Sequence, residues 1–204
     1  MAIGRTREKI LDISLELFAQ RGYSAVSIRD ICGRVPIKES TLYYYFQNKR
    51  EIFLVLQQRF EEKAAALMRR MEEEIAAPLQ GGAGFGGGVT QAFFEEYLMD
   101  PFCNAFLRLL RMEQGGDETL RETYDQWMFE RPLTFQKKVF WALMEQGILQ
   151  QADGDVLAVQ YYAPIFMGFE RYLSSGELTE EKKERFRREA GRQITWFFQE
   201  RGLI

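Results

Sequence analysis

The sequence predicts an all-α protein, with an N-terminal three-helix helix-turn-helix head and a C-terminal helical bundle that together contain about nine helices. Apolar residues recur at helical spacing through nearly the whole chain, and strand-like alternation never persists. Gly and Pro fall mostly between the periodic segments, where they interrupt helices. A length of 204 residues suits one moderately large domain, or two small ones that share a core.

The first two predicted helices have recognisable ends. The first covers about residues 5–21, and Gly22 follows it as a left-handed stop. Ser27 opens the second helix, and Asp30 lies three residues later, as in a capping box. Pro36 cannot be accommodated inside this helix, so we expect the helix to be short.

Two more helices and a linker follow. Residues 39–46 are predicted to form a short third helix, and 49–76 a long amphipathic fourth helix. At about 1.5 Å per residue, the long helix spans roughly 40 Å. The run GGAGFGGG at 81–88 lacks the Lys and the Ser or Thr of a phosphate-binding loop, so we interpret it as a flexible linker.

The C-terminal part contains six further predicted helices, separated by Gly, Pro or Ser-rich breaks. Thr179 is placed to cap the last of them through the N–H of Lys182. One break is expected at Pro132, because proline lacks the N–H that continues a helix. The approximate ranges are 89–99, 102–114, 117–130, 133–147, 155–174 and 180–200.

The third helix has aromatic rings on two opposite sides. At about 100° per residue, Leu42, Tyr45 and Phe46 fall on the side that closes a small core. Tyr43 and Tyr44 fall roughly opposite, with small hydroxyl side chains beside them. Hydroxyls can bond phosphate oxygens, and exposed rings can lie against sugars or thymine methyl groups. The outer side is therefore a candidate nucleic-acid interface.

Charge is divided unevenly along the chain. Residues 1–50 contain nine Lys and Arg against five Asp and Glu, a net charge of +4. The remaining 154 residues contain eighteen and twenty-five, a net charge of −7. A basic head on an acidic body suits a protein whose head binds nucleic acid, although a solvated N-terminal helix gives the same number.

The composition argues against several classes of protein. The chain has no histidine, the commonest general base and metal ligand, so we expect neither an enzyme nor a cofactor. Cys32 and Cys103 lie far apart without metal-ligand spacing, and we expect buried thiols in a reducing compartment. No apolar run reaches the ~18 residues of a membrane span, and the start lacks a signal-peptide core. We predict a cytoplasmic protein with no membrane contact.

Three sequence blocks of the head form a family pattern. They are Ile10…Leu17-Phe18…Gly22-Tyr23, Ser27-Ile28-Arg29-Asp30-Ile31 and Thr41-Leu42-Tyr43…Tyr45-Phe46…Lys49. With these blocks, residues 6–53 resemble the N-terminal DNA-binding region of the TetR family of bacterial transcriptional regulators. The resemblance implies a homodimer that binds a double-stranded DNA operator and responds to a small-molecule inducer.

The resemblance also implies roles for individual residues. Ser27 would cap the second helix and contact phosphate, and Arg29 would reach a base edge. Lys49 would lie on a phosphate together with the free N–H groups of its own helix. The other residues expected in the DNA-binding surface are Lys38, Ser40, Thr41, Tyr43, Tyr44 and Tyr45.

Three positions of the head depart from the family pattern, and Glu39 adds a negative charge, but these changes do not undo the motif. Pro36 replaces the usual glycine after the second helix, and its fixed negative φ cannot adopt a left-handed turn, so we expect the turn to differ. Lys38 replaces the usual capping serine and cannot accept an N–H bond. Ser40 replaces the usual glycine of the recognition helix, and Glu39 would face a polyanion.

Aromatic and methionine side chains are dense in the C-terminal part. Any one of them can be ordinary core, but their density favours a bundle around a cavity for an apolar or aromatic effector. The expected lining residues are Phe94, Tyr97, Phe106, Met112, Glu113, Trp127, Met128, Trp141, Tyr161, Tyr162 and Phe166, and the candidate polar anchors are Glu113, Gln160 and Tyr161.

The last two helices carry apolar stripes at helical spacing. Such stripes can pack on their own domain, but in a TetR-like protein these helices form a four-helix interface with their two-fold mates, and we expect that here. A two-fold pair of recognition helices reads a palindrome, which one short helix cannot do. The expected interface residues are Leu157, Ile165, Gly168, Phe186, Ala190, Ile194 and Phe197.

The sequence thus predicts a ligand-responsive DNA-binding transcriptional regulator, a repressor released from a palindromic operator by a small apolar or aromatic effector. Residues 1–50 would form the helix-turn-helix domain, and 51–204 the ligand-binding and dimerisation domain. The alternative is a dimeric helical ligand-binding protein whose head has lost or changed its function. An enzyme using paired carboxylates, such as Glu95-Glu96 or the run at 72–74, is a weaker alternative, because those runs look like solvated helix faces.

Overall fold

The computed structural model describes residues 2–76, 87–116 and 118–203, and all regular structure in these ranges is helical. The all-α prediction is confirmed. Most of the predicted linker at 81–88 lies outside the described residues, and its last two glycines begin a helix. The described α-helical segments are α1 (Ala2–Arg21), α2 (Ile28–Arg34), α3 (Glu39–Tyr45), α4 (Lys49–Ala76), α5 (Gly87–Phe93), α6 (Pro101–Met112), α7 (Glu118–Asp125), α8 (Arg131–Glu145), α9 (Gly154–Gly168) and α10 (Glu180–Gln199).

Helices α5, α7 and α9 each continue into a five-residue π turn. The turns are Phe94–Leu98, Gln126–Glu130 and Phe169–Leu173. The second turn leads directly into α8, so the helical backbone runs on from α7 through Pro132. The predicted break at Pro132 is therefore wrong, and α7 and α8 form one bent rod.

Two tyrosine hydroxyls explain how the helix accommodates Pro132. Because proline has no N–H, the Met128 carbonyl four residues earlier loses its helical donor. The Arg131 N–H donates to the Gln126 carbonyl in the π turn, so the Trp127 carbonyl lacks its usual donor as well. The hydroxyl of Tyr162 donates to the Met128 carbonyl at 2.6 Å, and that of Tyr97 to the Trp127 carbonyl at 2.7 Å. Hydroxyls from two other helices thus satisfy acceptors that the proline leaves open.

The ends of the head helices follow the predicted local signals. Gly22 has a φ of 85° and donates its N–H to the Phe18 carbonyl at 2.9 Å, which terminates α1. The capping box of α2 is formed: the Ser27 N–H donates to the Asp30 carboxylate at 2.8 Å, and the Asp30 N–H donates to the Ser27 hydroxyl at 3.2 Å. Thr179 caps α10 through the N–H of Lys182.

The head and the body share one core. Helix α1 packs against α6 and α4, while α8, α9 and α10 pack side by side further along the molecule. Seven rings connect the two parts, with neighbouring centroids 4.7 to 5.9 Å apart. In order they are Phe18, Tyr23, Phe53, Phe106, Phe60, Tyr97 and Phe93, and we call them the aromatic ladder.

Both cysteines are buried thiols, as expected. Burial raises the pKa of Cys103 to about 12, so this thiol stays protonated at neutral pH. Among the described residues, no helix combines the length and the apolar character needed to cross a membrane.

Candidate nucleic-acid interface and effector cavity

Helix α3 divides its side chains between core and solvent as predicted. Leu42 and Phe46 are 0% and 1% exposed, whereas Tyr43 and Tyr44 are 50% and 73% exposed. Tyr45 is half-buried, with its ring edge-on to that of Tyr44 at 5.1 Å. The helix therefore presents two phenolic rings to solvent on a rigid support, which suits contacts with sugars, phosphates and base edges.

Five of the other predicted DNA contacts are at least partly exposed. Ser27, Arg29, Lys38 and Ser40 are exposed, and Thr41 is half-buried at the edge of α3. The Ser27 hydroxyl hydrogen-bonds the Asp30 carboxylate. That bond, a second from the Ser27 N–H and one from Arg21 lower the pKa of Asp30 to about 2, so it stays a carboxylate.

An ion pair joins α2 to α3 across the face. The Nε of Arg29 donates to Oε1 of Glu39 at 3.2 Å, and the Arg29 side chain is 86% exposed. Exposed pairs of this kind contribute little to stability, so Arg29 can exchange the carboxylate for a phosphate or base at small cost. Glu39, the residue that would face a polyanion, also lies next to a cation that can compensate its charge.

The turn before α3 retains the left-handed conformation that the sequence appeared to forbid. Pro36 has a φ of 30°, and the N–H of Ile37 donates to the Cys32 carbonyl at 3.2 Å. This is the long hydrogen bond of a Schellman motif, whose second, shorter bond needs an N–H that proline lacks. The expectation that Pro36 could not adopt the left-handed turn is thus wrong, whereas the expected difference in detail is present. The motif is kept with one bond fewer and a prolyl ring outside its preferred φ.

The start of α3 confirms the expected lack of a side-chain cap. Lys38 makes no capping hydrogen bond, and only its carbonyl serves the helix, accepting N–H bonds from Thr41 and Leu42 at 2.9 and 3.2 Å. Two uncommon features, the strained Pro36 and the uncapped Lys38, therefore sit side by side at the base of the recognition helix.

Lys49 lies elsewhere than predicted. Its Nζ donates to the carbonyls of Tyr23 and Val26 at 2.7 and 2.8 Å, and lies 4.3 Å from the centre of the Tyr23 ring. Burial lowers the pKa of Lys49. The ammonium group thus donates its hydrogen bonds to backbone carbonyls of the loop between α1 and α2. It does not point towards a phosphate.

Glu113 also occupies a different place from its predicted position in the effector cavity. Only 7% exposed, it accepts the Ser24 hydroxyl at 2.9 Å and the Ser24 N–H at 3.2 Å. Near it, Arg108 donates to the Ala19 carbonyl at 3.2 Å. Glu113 therefore anchors the end of α6 to the α1–α2 loop, which Lys49 holds from the side of α4. We call Glu113, Ser24 and Lys49 the junction.

The body contains a cavity of about 40 Å³ between α4, α5, α8, α9 and α10. Two predicted residues, Tyr161 and Tyr162, lie in its wall, and the Tyr161 hydroxyl is 2.7 Å from the Thr90 hydroxyl. The other lining residues are Met68, Met71, Ile75, Val89, Thr90, Phe93, Pro132, Phe135, Gln136, Val139, Ile165 and Phe198. The wall is almost wholly apolar, as a small-molecule site requires.

The other predicted cavity residues lie outside this wall. Phe94, Tyr97, Phe106, Trp127 and Met128 are buried in the surrounding core. Their helical periodicity signalled burial correctly, but it cannot tell core from cavity.

Four more of these candidates are at or near the surface. Met112 and Trp141 are 46% and 55% exposed. Phe166 is half-buried against Phe129, with ring centroids 4.8 Å apart. Gln160 accepts a hydrogen bond from Arg201 at 2.7 Å at an exposed site. None of the four belongs to the cavity wall.

The lining residues that were not predicted come mainly from α4, α5 and α8, which contribute three, three and four of them. Met68, Met71 and Ile75 follow one another at spacings of three and four residues, which places them on one face of α4. That spacing was a usable signal.

The predicted dimer residues are buried inside a single subunit. Leu157, Ile165, Phe186, Ala190, Ile194 and Phe197 are each 8% exposed or less, and a Cβ on Gly168 would lie 3.0 Å from the Phe186 ring. These stripes pack α9 and α10 against each other and against the body. The prediction that they form the interface is therefore wrong, because residues already covered cannot contact a mate.

The opposite face of the same two helices is apolar and exposed. Val156, Val159 and Met167 of α9 are 50%, 53% and 60% exposed, and Trp196 of α10 is 58% exposed. We call these four residues the outer face. Large exposed apolar patches of this kind mark interaction surfaces in soluble proteins.

The fold and the α3 face together define a helix-turn-helix head joined to an all-helical body. The model of the family described as bacterial regulatory proteins, tetR family, matches residues 10–56. Residues 10–56 therefore carry the N-terminal domain described for the tetR family of bacterial regulatory proteins.

Solved structures extend the likeness to the whole fold. A TetR-family regulator from Mesorhizobium loti is 19% identical, with 98% of each chain covered and a TM-score of 0.65. SmeT in complex with triclosan is 15% identical, with 98% of this chain and 94% of that chain covered and a TM-score of 0.69. A regulator from Saccharomonospora viridis in complex with choline is 20% identical, with 94% and 96% covered and a TM-score of 0.64. No curated protein matches the sequence.

Proposed function

We propose that this chain is a homodimeric repressor that a small apolar or aromatic effector releases from a palindromic operator. The observation that carries the proposal is the division of α3, with Tyr43 and Tyr44 in solvent and Leu42 and Phe46 in the core. Rings held outward on a buried support are what groove contact requires. SmeT with triclosan and the S. viridis regulator with choline, both of the same fold, support a small-molecule effector.

Dimerisation would use the outer face. Burying Met167 and Trp196 against a two-fold mate removes apolar surface from water, at about 25 cal/mol per Å². A two-fold interface there would place two α3 helices for adjacent half-sites, roughly 34 Å apart. Sedimentation velocity tests this step: Met167→Glu should weaken the dimer, whereas Gln199→Glu, a charge on an exposed position of α10, should not.

The link between effector and DNA would run through α4 and the junction. Helix α4 contributes Met68 and Met71 to the cavity wall at one end and Lys49 to the α1–α2 loop at the other. An effector that favours a different position of α4 would therefore shift the spacing of the two heads. It acts only through its difference in affinity for the two arrangements.

The experiment selects operator fragments from genomic DNA and measures their affinity by fluorescence anisotropy at two salt concentrations. Tyr43→Ala and Tyr44→Ala should each lower the affinity about tenfold or more without changing the melting temperature. Trp141→Ala, which removes an equally exposed ring from the body, is the matched control. Full affinity in both tyrosine variants would contradict the proposal.

The second candidate is a dimeric ligand-binding protein with a changed head. The observation in its favour is the pairing of a strained Pro36 with an uncapped Lys38 at the base of α3. Binding that ignores DNA sequence and disappears at moderate salt would support this candidate, because counterion release alone produces that behaviour.

A further inference from the structure

The wall of the cavity carries no formal charge. Among the described residues that line it, none is Asp, Glu, Lys or Arg. On the exposed outside of the bundle, Lys138 of α8 pairs with Glu72 of α4 at 2.8 Å. An ion in the cavity would therefore have no counterion and would lose its hydration without compensation.

The polar side chains of the wall are few: the amide of Gln136 and the hydroxyls of Thr90, Tyr161 and Tyr162. The hydroxyls of Thr90 and Tyr161 share one hydrogen bond of 2.7 Å, with Tyr161 on α9 and Thr90 on α5. The Tyr162 hydroxyl is committed to the Met128 carbonyl at 2.6 Å, where it compensates for Pro132. Both tyrosines stay neutral at physiological pH, because burial raises the pKa of Tyr161 to about 12 and raises that of Tyr162 further.

The Thr90–Tyr161 pair is suited to receive a ligand group. A hydroxyl can turn to donate or accept, so a guest with one hydroxyl or carbonyl can insert into the pair and replace its single bond by two. Tyr162 cannot take this role without leaving a helix carbonyl unsatisfied.

The cavity must widen to admit a ring. Its volume is about 40 Å³, whereas a dry cavity of roughly 150 Å³ is known to hold benzene. Met68 and Met71 line the α4 side, and their unbranched thioether chains can take other rotamers at low cost. Aromatic neighbours such as Phe93 and Phe135 then favour a flat apolar guest.

We propose that the cavity selects an uncharged, largely aromatic molecule with one hydroxyl or carbonyl group, which hydrogen-bonds to Thr90 and Tyr161. This rests on the proposed function, in that the cavity is taken as the effector site. It excludes carboxylates and ammonium compounds of the same size, and it makes Thr90 and Tyr161 the residues that determine which polar group is accepted.

The first test titrates the full chain with matched naphthalene probes at pH 7, using calorimetry. 2-Naphthol should bind, and 2-naphthoate and 2-naphthylmethylammonium should bind roughly 100-fold more weakly. Val139→Trp, which fills the cavity, should abolish the binding of 2-naphthol. Equal affinity for an ionic probe would overturn the selection of neutral molecules while leaving an effector site in place. Failure of 2-naphthol and naphthalene alike would count against both this inference and the proposed effector function.

The second test addresses the two hydroxyls. Tyr161→Phe and Thr90→Val should each lower the affinity for 2-naphthol about three- to tenfold, the loss expected for one hydrogen bond. The affinity for naphthalene should not change. Thermal melts show whether each variant is folded, and either variant alone decides the point. An unchanged affinity for 2-naphthol in a folded variant, or an equal loss for naphthalene, would overturn the anchoring role.

Discussion

The recognition face and the effector cavity use the same residue type in opposite ways. On α3, Tyr43 and Tyr44 stand in solvent beside exposed ion pairs, whereas in the body Tyr161 and Tyr162 are buried in an apolar wall. The head is adjusted by polar groups that can exchange partners at low cost. The body is stabilised by close packing, so even a small change in side-chain volume there alters its stability. The proposed regulator would thus separate a surface that can adapt to DNA from an interior that discriminates by shape and charge.

The largest effect should come from the packed interior. Phe60 is fully buried and lies 4.7 Å from Phe106 in the aromatic ladder, so Phe60→Ala should cost about 3–5 kcal/mol of unfolding free energy. Leu54→Ala, at a 48% exposed position of the same helix, should change stability by less than about 0.5 kcal/mol. Urea denaturation measures the unfolding free energy of both variants. Similar losses in the two would contradict the dominant role of the packed interior.

The junction should give an intermediate effect, since it joins the two regions. Glu113→Ala removes the carboxylate that accepts two hydrogen bonds from Ser24 at a nearly buried site. It should therefore lower the free energy of unfolding by about 1–3 kcal/mol. Amide exchange in the α1–α2 loop should also become faster. The exposed Glu145→Ala serves as the control. Unchanged exchange in the loop would mean that Glu113 does not hold the head to the body.

A smaller effect of opposite sign is expected at the turn of the head. Pro36→Gly allows the positive φ without strain and supplies the missing N–H of the Schellman motif. Strain of a residue held at such a φ costs roughly 1–3 kcal/mol. Glycine also raises the conformational entropy of the unfolded chain, which offsets part of this gain, so we expect a net stabilisation of about 1 kcal/mol. Pro36→Ala restores the N–H without relieving the conformation, and a melting temperature equal to that of Pro36→Gly would show that φ is not the cause.

The smallest effect concerns pH. The pKa of Asp30 is held at about 2 by its bonds to Ser27 and Arg21, below the ~3.9 of an unfolded Asp. Its contribution is thus fully present above about pH 4 and is lost as the pH falls towards 2. Urea melts of the natural chain and of Asp30→Asn should converge over that window. Parallel pH profiles for the two proteins would indicate that Asp30 is not perturbed.

Local signals predicted the head well because the ends of its helices are determined by residues close together in the sequence. The Gly22 stop, the Ser27 capping box and the inward Leu42 each depend on contacts within a few positions along the chain, and each was confirmed. The body resisted prediction for the opposite reason. Continuation of the helix through Pro132 depends on the hydroxyl of Tyr97, from a distant part of the chain.

Periodicity also misled the prediction of the dimer surface. The stripe containing Phe186 and Ile194 was correctly read as buried, but a pattern does not say whether the covering surface belongs to the same subunit. Pro36 shows the complementary failure. Its own ring argued against a left-handed turn, yet the hydrogen bond from Ile37 and the surrounding packing hold the turn in place.

The aromatic ladder bears on how such proteins can be re-engineered. Phe18 packs on Tyr23, and Tyr23 packs on Phe53, whose ring is stacked on Phe106 at 5.8 Å. The interior of the first three helices is therefore completed by side chains from beyond residue 50. A chimaera that grafts only those helices onto a foreign sensor would expose these rings to water. A working graft should carry α4 and α6 along with them, or supply equally shaped aromatic partners from the recipient.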